Sequence, residues 1–281
     1  RISTESLRAS DDLIFLSVHP NKDGSLLFEN PRAFQGKGET TWEGLIKSVR
    51  GKVKGTKAKI RLGASSGEWK AMVADEAART TFAKNIKKVL EKNNLDGIDL
   101  DFEWAENEKE YEDYSLAILK MREVLGDKYL FSVSLHPVCY KISKKAIEAV
   151  DFISLQCYGP SPVRFPIEKY CSDIQMVLEY GIPKEKLVAG VPFYGVTKDN
   201  SKKTEAYFNF VQNGLVTSPA QNEVVYQGDT YVFDGQDNIR IKTRYAKEQK
   251  LKGMMSWDLA TDLPLNDSKS LLKTMTEELR E

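Results

Sequence analysis

Asp99, Asp101 and Glu103 fall two residues apart in the stretch Asp96-Gly97-Ile98-Asp99-Leu100-Asp101-Phe102-Glu103-Trp104. In a strand, successive side chains alternate between faces, so the three carboxyls share one face and Ile98, Leu100 and Phe102 the other. Carboxylates this close repel, and at least one is expected to keep its proton near neutral pH. The arrangement gains no stability. It sets a proton donor beside an anion, as general acid–base chemistry requires. The plainer alternative is an antiparallel strand with a solvated acidic face, and two neighbours speak against it. A helical run over residues 80–92 leads into the strand through Asn93-Asn94-Leu95, as in a βα repeat, and Trp104 closes the stretch beside the last carboxyl.

Positioning such groups takes a scaffold, and the rest of the chain reads as one. Strand-like apolar runs occupy residues 12–18, 58–62, 129–135, 151–158, 187–191 and 254–257, which with the acidic stretch makes seven. Amphipathic helical patterns cover residues 41–49, 75–92, 108–125 and 271–279, with Ala78, Phe82, Ile86 and Val89 three or four apart in the second. Small residues over 63–67 read as a loop after the second strand. Alternating strands and helices indicate a parallel sheet with helical crossovers, and strands apolar on both faces favour a closed (β/α)8 TIM barrel. A doubly wound open sheet is the alternative. Residues 196–252 are too long for one βα connection. They read as a small α+β insertion between the last two strands, with a helix over 203–210, β pieces at 224–226 and 230–233, and a helix over 241–251. The whole, residues 1–281, is expected to be a single α/β domain.

In a parallel barrel the carboxyl ends of the strands converge on one mouth. Besides the acidic cluster, the residues at such ends are Ser65 and Ser66, Gln156 and Tyr158, Phe193 and Tyr194, and Trp257 and Asp258. Aromatic faces beside carboxylates and amides suit a sugar, which has apolar ring faces and polar rims.

The acidic stretch resembles the Asp-x-x-Asp-x-Asp-x-Glu motif of glycoside hydrolase family 18, the chitinases and their relatives, and Asp96, Asp99, Asp101 and Glu103 complete it. Residues 187–195 look like the family's seventh strand, 253–258 like its eighth, and 155–158 like its sixth. In the family the motif lies on the fourth barrel strand. Here it is the third visible one, so the resemblance implies that a first strand preceded Arg1. It further implies retaining hydrolysis assisted by the substrate, next to N-acetylglucosamine in β-1,4-linked chitin or chito-oligosaccharides. Glu103 is then the acid, Asp101 orients the acetamido group, Asp99 shares a proton with Asp101, and Tyr158 braces the acetamido oxygen. Trp257, Gln156, Tyr194 and Trp104 are the sugar-binding candidates. Asp96, at the strand entrance, reads as structural. Chitinases commonly carry an Asp after the sixth-strand Tyr, where this chain has Gly159. Action on N-glycan cores or peptidoglycan remains open within the same chemistry, as does a non-catalytic lectin, although lectins of the family typically lose the motif's Glu. The family favours a secreted, cell-surface or periplasmic protein, and a monomer is expected.

Composition narrows the alternatives. Lys plus Arg equal Asp plus Glu at 41 each, which gives no electrostatic bias towards nucleic acid or anionic membrane. Cys139, Cys157 and Cys171 form neither a disulfide framework nor a metal-ligand cluster, and His19 and His136 have no partners at metal-ligand spacing, so a histidine-based metal site is not expected. The mechanism that the resemblance implies needs no metal or organic cofactor. No apolar run reaches membrane-spanning length, and the chain opens without a basic-then-apolar leader.

Overall fold

A computed structural model describes residues 2–28 and 41–281. By internal contact the chain forms two compact units, residues 10–153 and residues 1–9 with 154–281. A short helix, α1 (Thr4–Arg8), is capped by Ser3 and belongs to the second.

The first unit opens with β1 (Asp12–Pro20), on which β2 (Leu26–Phe28) folds back antiparallel. Then come α2 (Trp42–Lys52), β3 (Lys59–Ser65), α3 (Trp69–Ala74), α4 (Glu76–Asn93), β4 (Gly97–Asp101), α5 (Glu108–Leu125), β5 (Leu130–Leu135) and α6 (Lys144–Ala149). Parallel ladders join β1 to β3, β3 to β4 and β4 to β5, with the helices as crossovers. The helices start where short polar side chains can take up free N–H groups. Thr41, Asp75, Asn107 and Ser143 each accept a backbone hydrogen bond at an N-cap, and Asn94 ends α4 in the left-handed conformation. Under α3–α5 lies an aromatic cluster, in which Trp69 stacks on Phe102 at 5.6 Å and meets Phe82 and Tyr114 edge-on at 5.5 and 6.0 Å. Gly97 begins β4 because a Cβ there would lie 1.8 Å from the Leu130 carbonyl oxygen.

The second unit takes up the chain within β6 (Phe152–Leu155). It continues with α7 (Ile167–Tyr180), β7 (Leu187–Pro192), β8 (Tyr194–Thr197), β9 (Thr204–Ala206), α8 (Tyr207–Gln212), β10 (Glu223–Tyr226), β11 (Asp229–Val232), α9 (Gln236–Glu248), β12 (Gly253–Trp257) and α10 (Leu271–Arg280). Here β6, β7 and β12 are sheet neighbours in that order, with β12 parallel to β7. A separate antiparallel sheet has the order β10-β11-β8-β9. Helix α9 carries a buried ion pair, in which Lys242 Nζ donates to Asp234 Oδ2 at 2.6 Å and to the Phe165 carbonyl at 2.8 Å.

All seven strands read from the sequence are present, as β1, β3, β4, β5, β6, β7 and β12. Their ends differ. Residues 63–65, read as loop, continue β3, because Gly63 is small enough to pack against Leu16, whose Cδ2 would sit 2.7 Å from a Cβ. The acidic strand stops at Asp101, where Phe102 turns away to stack on Trp69. β6 stops at Leu155 rather than Tyr158, since the Cys157 N–H turns back to the Leu155 carbonyl at 3.0 Å. The helix read over 203–210 is a strand followed by a helix, and the one read over 241–251 starts five residues earlier, at Gln236 after Gly235.

Candidate active site

The acidic motif divides along its length. All five residues of β4 are buried, so the sheet has no solvated acidic face at this strand. Asp99 and Asp101 retain 3% and 8% of their exposure, whereas Glu103, two residues past Asp101, is exposed. A buried pair of carboxyls at a strand end, with an accessible carboxyl just beyond it, can supply both an acceptor and a donor of protons.

Asp99 is held by two hydroxyls of the neighbouring strand: Ser132 donates to its Oδ1, and Ser134 to its Oδ2 at 2.8 Å. Burial pushes its carboxyl above the usual carboxylate range, against the opposing pull of the Arg61 guanidinium and these two hydroxyls. Asp96 does something different. Its Oδ2 accepts the Ile60 N–H at 2.8 Å and so ties β3 to the entrance of β4. Past the strand, the Trp104 indole meets the His136 ring edge-on at 4.3 Å, and the Ala105 N–H donates to Cys139 Sγ at 3.0 Å. The turn after β5 thus grips the segment that carries Glu103.

The remaining candidates lie in the second unit. Tyr158 is buried beyond the end of β6, with its hydroxyl 3.5 Å from Met255 Sδ and its ring 6.4 Å from that of Tyr194. Tyr194 opens β8 and donates to the Gly159 carbonyl at 3.2 Å. Gln156 is buried beside them in sequence, and Trp257, 39% exposed, ends β12, where its carbonyl accepts the Phe193 N–H at 2.8 Å. Asp258 follows, and burial raises its carboxyl above the usual range. The peptide bonds Glu103–Trp104 and Trp257–Asp258 are cis, as is Leu16–Ser17. The structure therefore groups Asp99, Asp101, Glu103 and Trp104 in one unit, and Gln156, Tyr158, Tyr194 and Trp257 in the other.

Three supports of the acidic motif escaped the sequence reading: Arg61, Ser132 and Ser134. The two serines alternate with apolar residues in Leu130-Phe131-Ser132-Val133-Ser134-Leu135, which is a legible sign that they face what Asp99 faces. The signal for Arg61 was an arginine set between Ile60 and Leu62 in an otherwise largely apolar strand. Among the described residues no group of three or more His, Cys, Asp or Glu is placed to hold a metal ion, and no helix is long and apolar enough to cross a membrane.

Residues 8–262 match the family model of the glycosyl hydrolases family 18. Two curated relatives are similar at 24% identity. Probable chitinase 2 of Drosophila melanogaster aligns over 261 residues (70% of this chain, 54% of the relative), and chitinase A1 of Niallia circulans over 328 residues (85% and 47%). The chain spans about half the length of these relatives. Among solved structures, a Bacteroides thetaiotaomicron chitinase is similar with a TM-score of 0.81 at 20% identity, covering 97% of this chain and 89% of that one. A plant class V chitinase mutant from Cycas revoluta in complex with (GlcNAc)3 gives 0.77 at 16%, covering 98% and 94%. The chitinase-like agglutinin of Robinia pseudoacacia gives 0.77 at 17%, covering 96% and 93%. Likeness at this identity carries the fold: a mostly parallel, curled eight-stranded sheet with helices, of the TIM-barrel type.

Proposed function

The chain belongs to the glycosyl hydrolases family 18, and from that premise we propose that it hydrolyses β-1,4 linkages next to N-acetylglucosamine in chitin or chito-oligosaccharides. The observation that carries this reading is the complete motif, Asp96, Asp99, Asp101 and Glu103, with Glu103 accessible past the buried pair Asp99 and Asp101. The accessible carboxyl suits the acid. Glu103 protonates the glycosidic oxygen as the carbonyl oxygen of the 2-acetamido group attacks C1 and the bond to the leaving sugar breaks, giving an oxazolinium ion. Water, giving its proton to Glu103, then opens that ion at C1, and the two inversions amount to retention, an exception to the two-carboxylate scheme. Asp101 receives the acetamido N–H and stabilises the growing positive charge, and Asp99 shares a proton with it. Tyr158 braces the acetamido oxygen. Trp257 packs against the sugar ring, with Gln156, Tyr194 and Trp104 as further sugar contacts. A solved relative bound to (GlcNAc)3 supports this substrate class.

The agglutinin among the similar folds keeps a second reading in view, a glycan-binding protein without turnover. Glu103 argues for the enzyme, because a lectin has no use for the acid. N-glycan cores and peptidoglycan are the alternative substrates of the same chemistry. The test is release of a fluorophore from N-acetylglucosamine oligomers of increasing length, with wild type and Glu103→Gln compared. The hydrolase reading expects turnover in the wild type and a loss of at least about a hundredfold in the variant, as removal of a general acid costs. Tight binding with no turnover in a folded wild type would establish the lectin instead.

A further inference from the structure

Beneath the acidic motif the first unit buries a charged group that the reaction proposed above does not use. Arg61, on β3, is fully buried. Its guanidinium spends every arm. Nε donates to Asp12 Oδ1 at 2.8 Å, Nη2 to Asp12 Oδ2 at 2.5 Å, and Nη1 to the Ile98 carbonyl at 2.9 Å and Ser132 Oγ at 2.8 Å. Ser132 in turn gives its own proton to Asp99 Oδ1. An unbroken chain of hydrogen bonds therefore runs from β1 through β3 and β5 to the first buried carboxyl of β4: Asp12, Arg61, Ser132, Asp99. Accepting from Arg61 leaves the Ser132 hydroxyl proton only Asp99 to point at.

A buried cation is costly, and a fold gains little by keeping one in place of an apolar side chain. Here the cation faces a carboxyl whose charge matters. Among the described residues, the charged and titratable groups that bear on Asp99 include Asp12 from β1, Arg61 from β3, Asp101 on its own strand and the Tyr114 phenol from α5, which burial keeps neutral. β5 contributes Ser132 and Ser134 and no charged residue. Arg61 is thus the cation, and Asp12 the counter-charge that tempers it.

We propose that the Asp12–Arg61 pair is a positioning device for the acidic motif: through Ser132 it orients Asp99 and sets how readily the Asp99–Asp101 pair carries a negative charge. Asp12 and Arg61 touch no substrate, and they act through Asp99. The role in catalysis rests on the hydrolase reading, but the control of Asp99 does not.

Because the two members of the pair carry opposite charges, they make opposite predictions. Removing the cation with Arg61→Met strengthens Asp99's hold on its proton, while removing the anion with Asp12→Asn weakens it. The experiment is a pH titration of the side-chain carboxyl carbons in protein labelled with 13C at aspartate, with the Asp99 signal assigned by its loss in Asp99→Asn. The expected result is an upward shift of the Asp99 midpoint by about one pH unit or more in Arg61→Met, a downward shift in Asp12→Asn, and a near-normal midpoint in Arg61→Lys. Should Arg61→Met fail to fold, as circular dichroism would report, Asp12→Asn decides, since Asp12 is partly exposed and asparagine keeps one acceptor. An Asp99 midpoint unmoved in Asp12→Asn, or moved the same way in both variants, overturns the proposal. The pH profiles of hydrolysis should move with the midpoints. A folded wild type without hydrolysis, its Asp99 midpoints still shifting in opposite directions, would overturn the hydrolase reading and leave this inference standing.

Discussion

Asp99 shows how a single residue can carry a stability cost that only pH reveals. Its carboxyl, buried at 3% exposure, holds its proton more tightly in the folded chain than the ordinary value of 3.8 allows. Between that value and the raised one, the folded state binds more protons than the unfolded state, so the residue's contribution falls as pH rises through the window. Asn cannot titrate. The melting temperature of wild type minus that of Asp99→Asn should therefore decline as pH is raised above about 4, the ordinary carboxyl value. Thermal denaturation at a series of pH values measures it, and a difference constant across the series would contradict the assignment. The buried carboxyls of Asp258 and Asp262, also raised by burial, are common to both proteins and cancel in the comparison.

At the scale of elements, the site depends on helices that start where they should. Asp75 caps α4, the crossover that delivers the chain to β4, by accepting the Ala78 N–H at 2.7 Å. Asp75→Ala should cost about 1 kcal/mol in urea unfolding, the usual worth of such a cap, and no measurable loss would show that another group takes over the N–H. Where an element's existence was legible, local periodicity and caps made it so, as in the pattern over 108–125, which matches α5 residue for residue; α7 (Ile167–Tyr180) was not read from the sequence. Element ends were not, because tertiary partners decide them. Phe102 leaves the sheet for Trp69, and Gly63 stays in it because a larger residue would strike Leu16. The candidate site was legible where its chemistry lies along one stretch, as in Asp99, Asp101 and Glu103. Arg61 lies 38 residues before Asp99, and nothing local in a lone strand arginine says that a serine on β5 will join the two.

For the whole molecule, the even balance of 41 basic and 41 acidic residues hides an uneven distribution, since most charges are solvated and a few are buried in pairs. Lys242 and Asp234 are the most enclosed ion pair among the described residues, at 1% and 0% side-chain exposure. Truncating one partner strands the other away from water. Lys242→Ala should lower stability by about 3–5 kcal/mol, whereas replacing both partners by apolar residues of similar volume should cost much less. Calorimetric melting of the single and double variants separates the two, and equal losses would show that the pair contributes through packing rather than charge.

The central claim, acid catalysis by Glu103 with the substrate's own acetamido group as nucleophile, fixes the stereochemistry of the product. The most direct measurement follows a chito-oligosaccharide by proton NMR from the moment enzyme is added and identifies the first anomer to appear. The account predicts the β-anomer, with the α-anomer growing in only as mutarotation proceeds. If the α-anomer appears first, hydrolysis is inverting and the substrate-assisted mechanism is wrong.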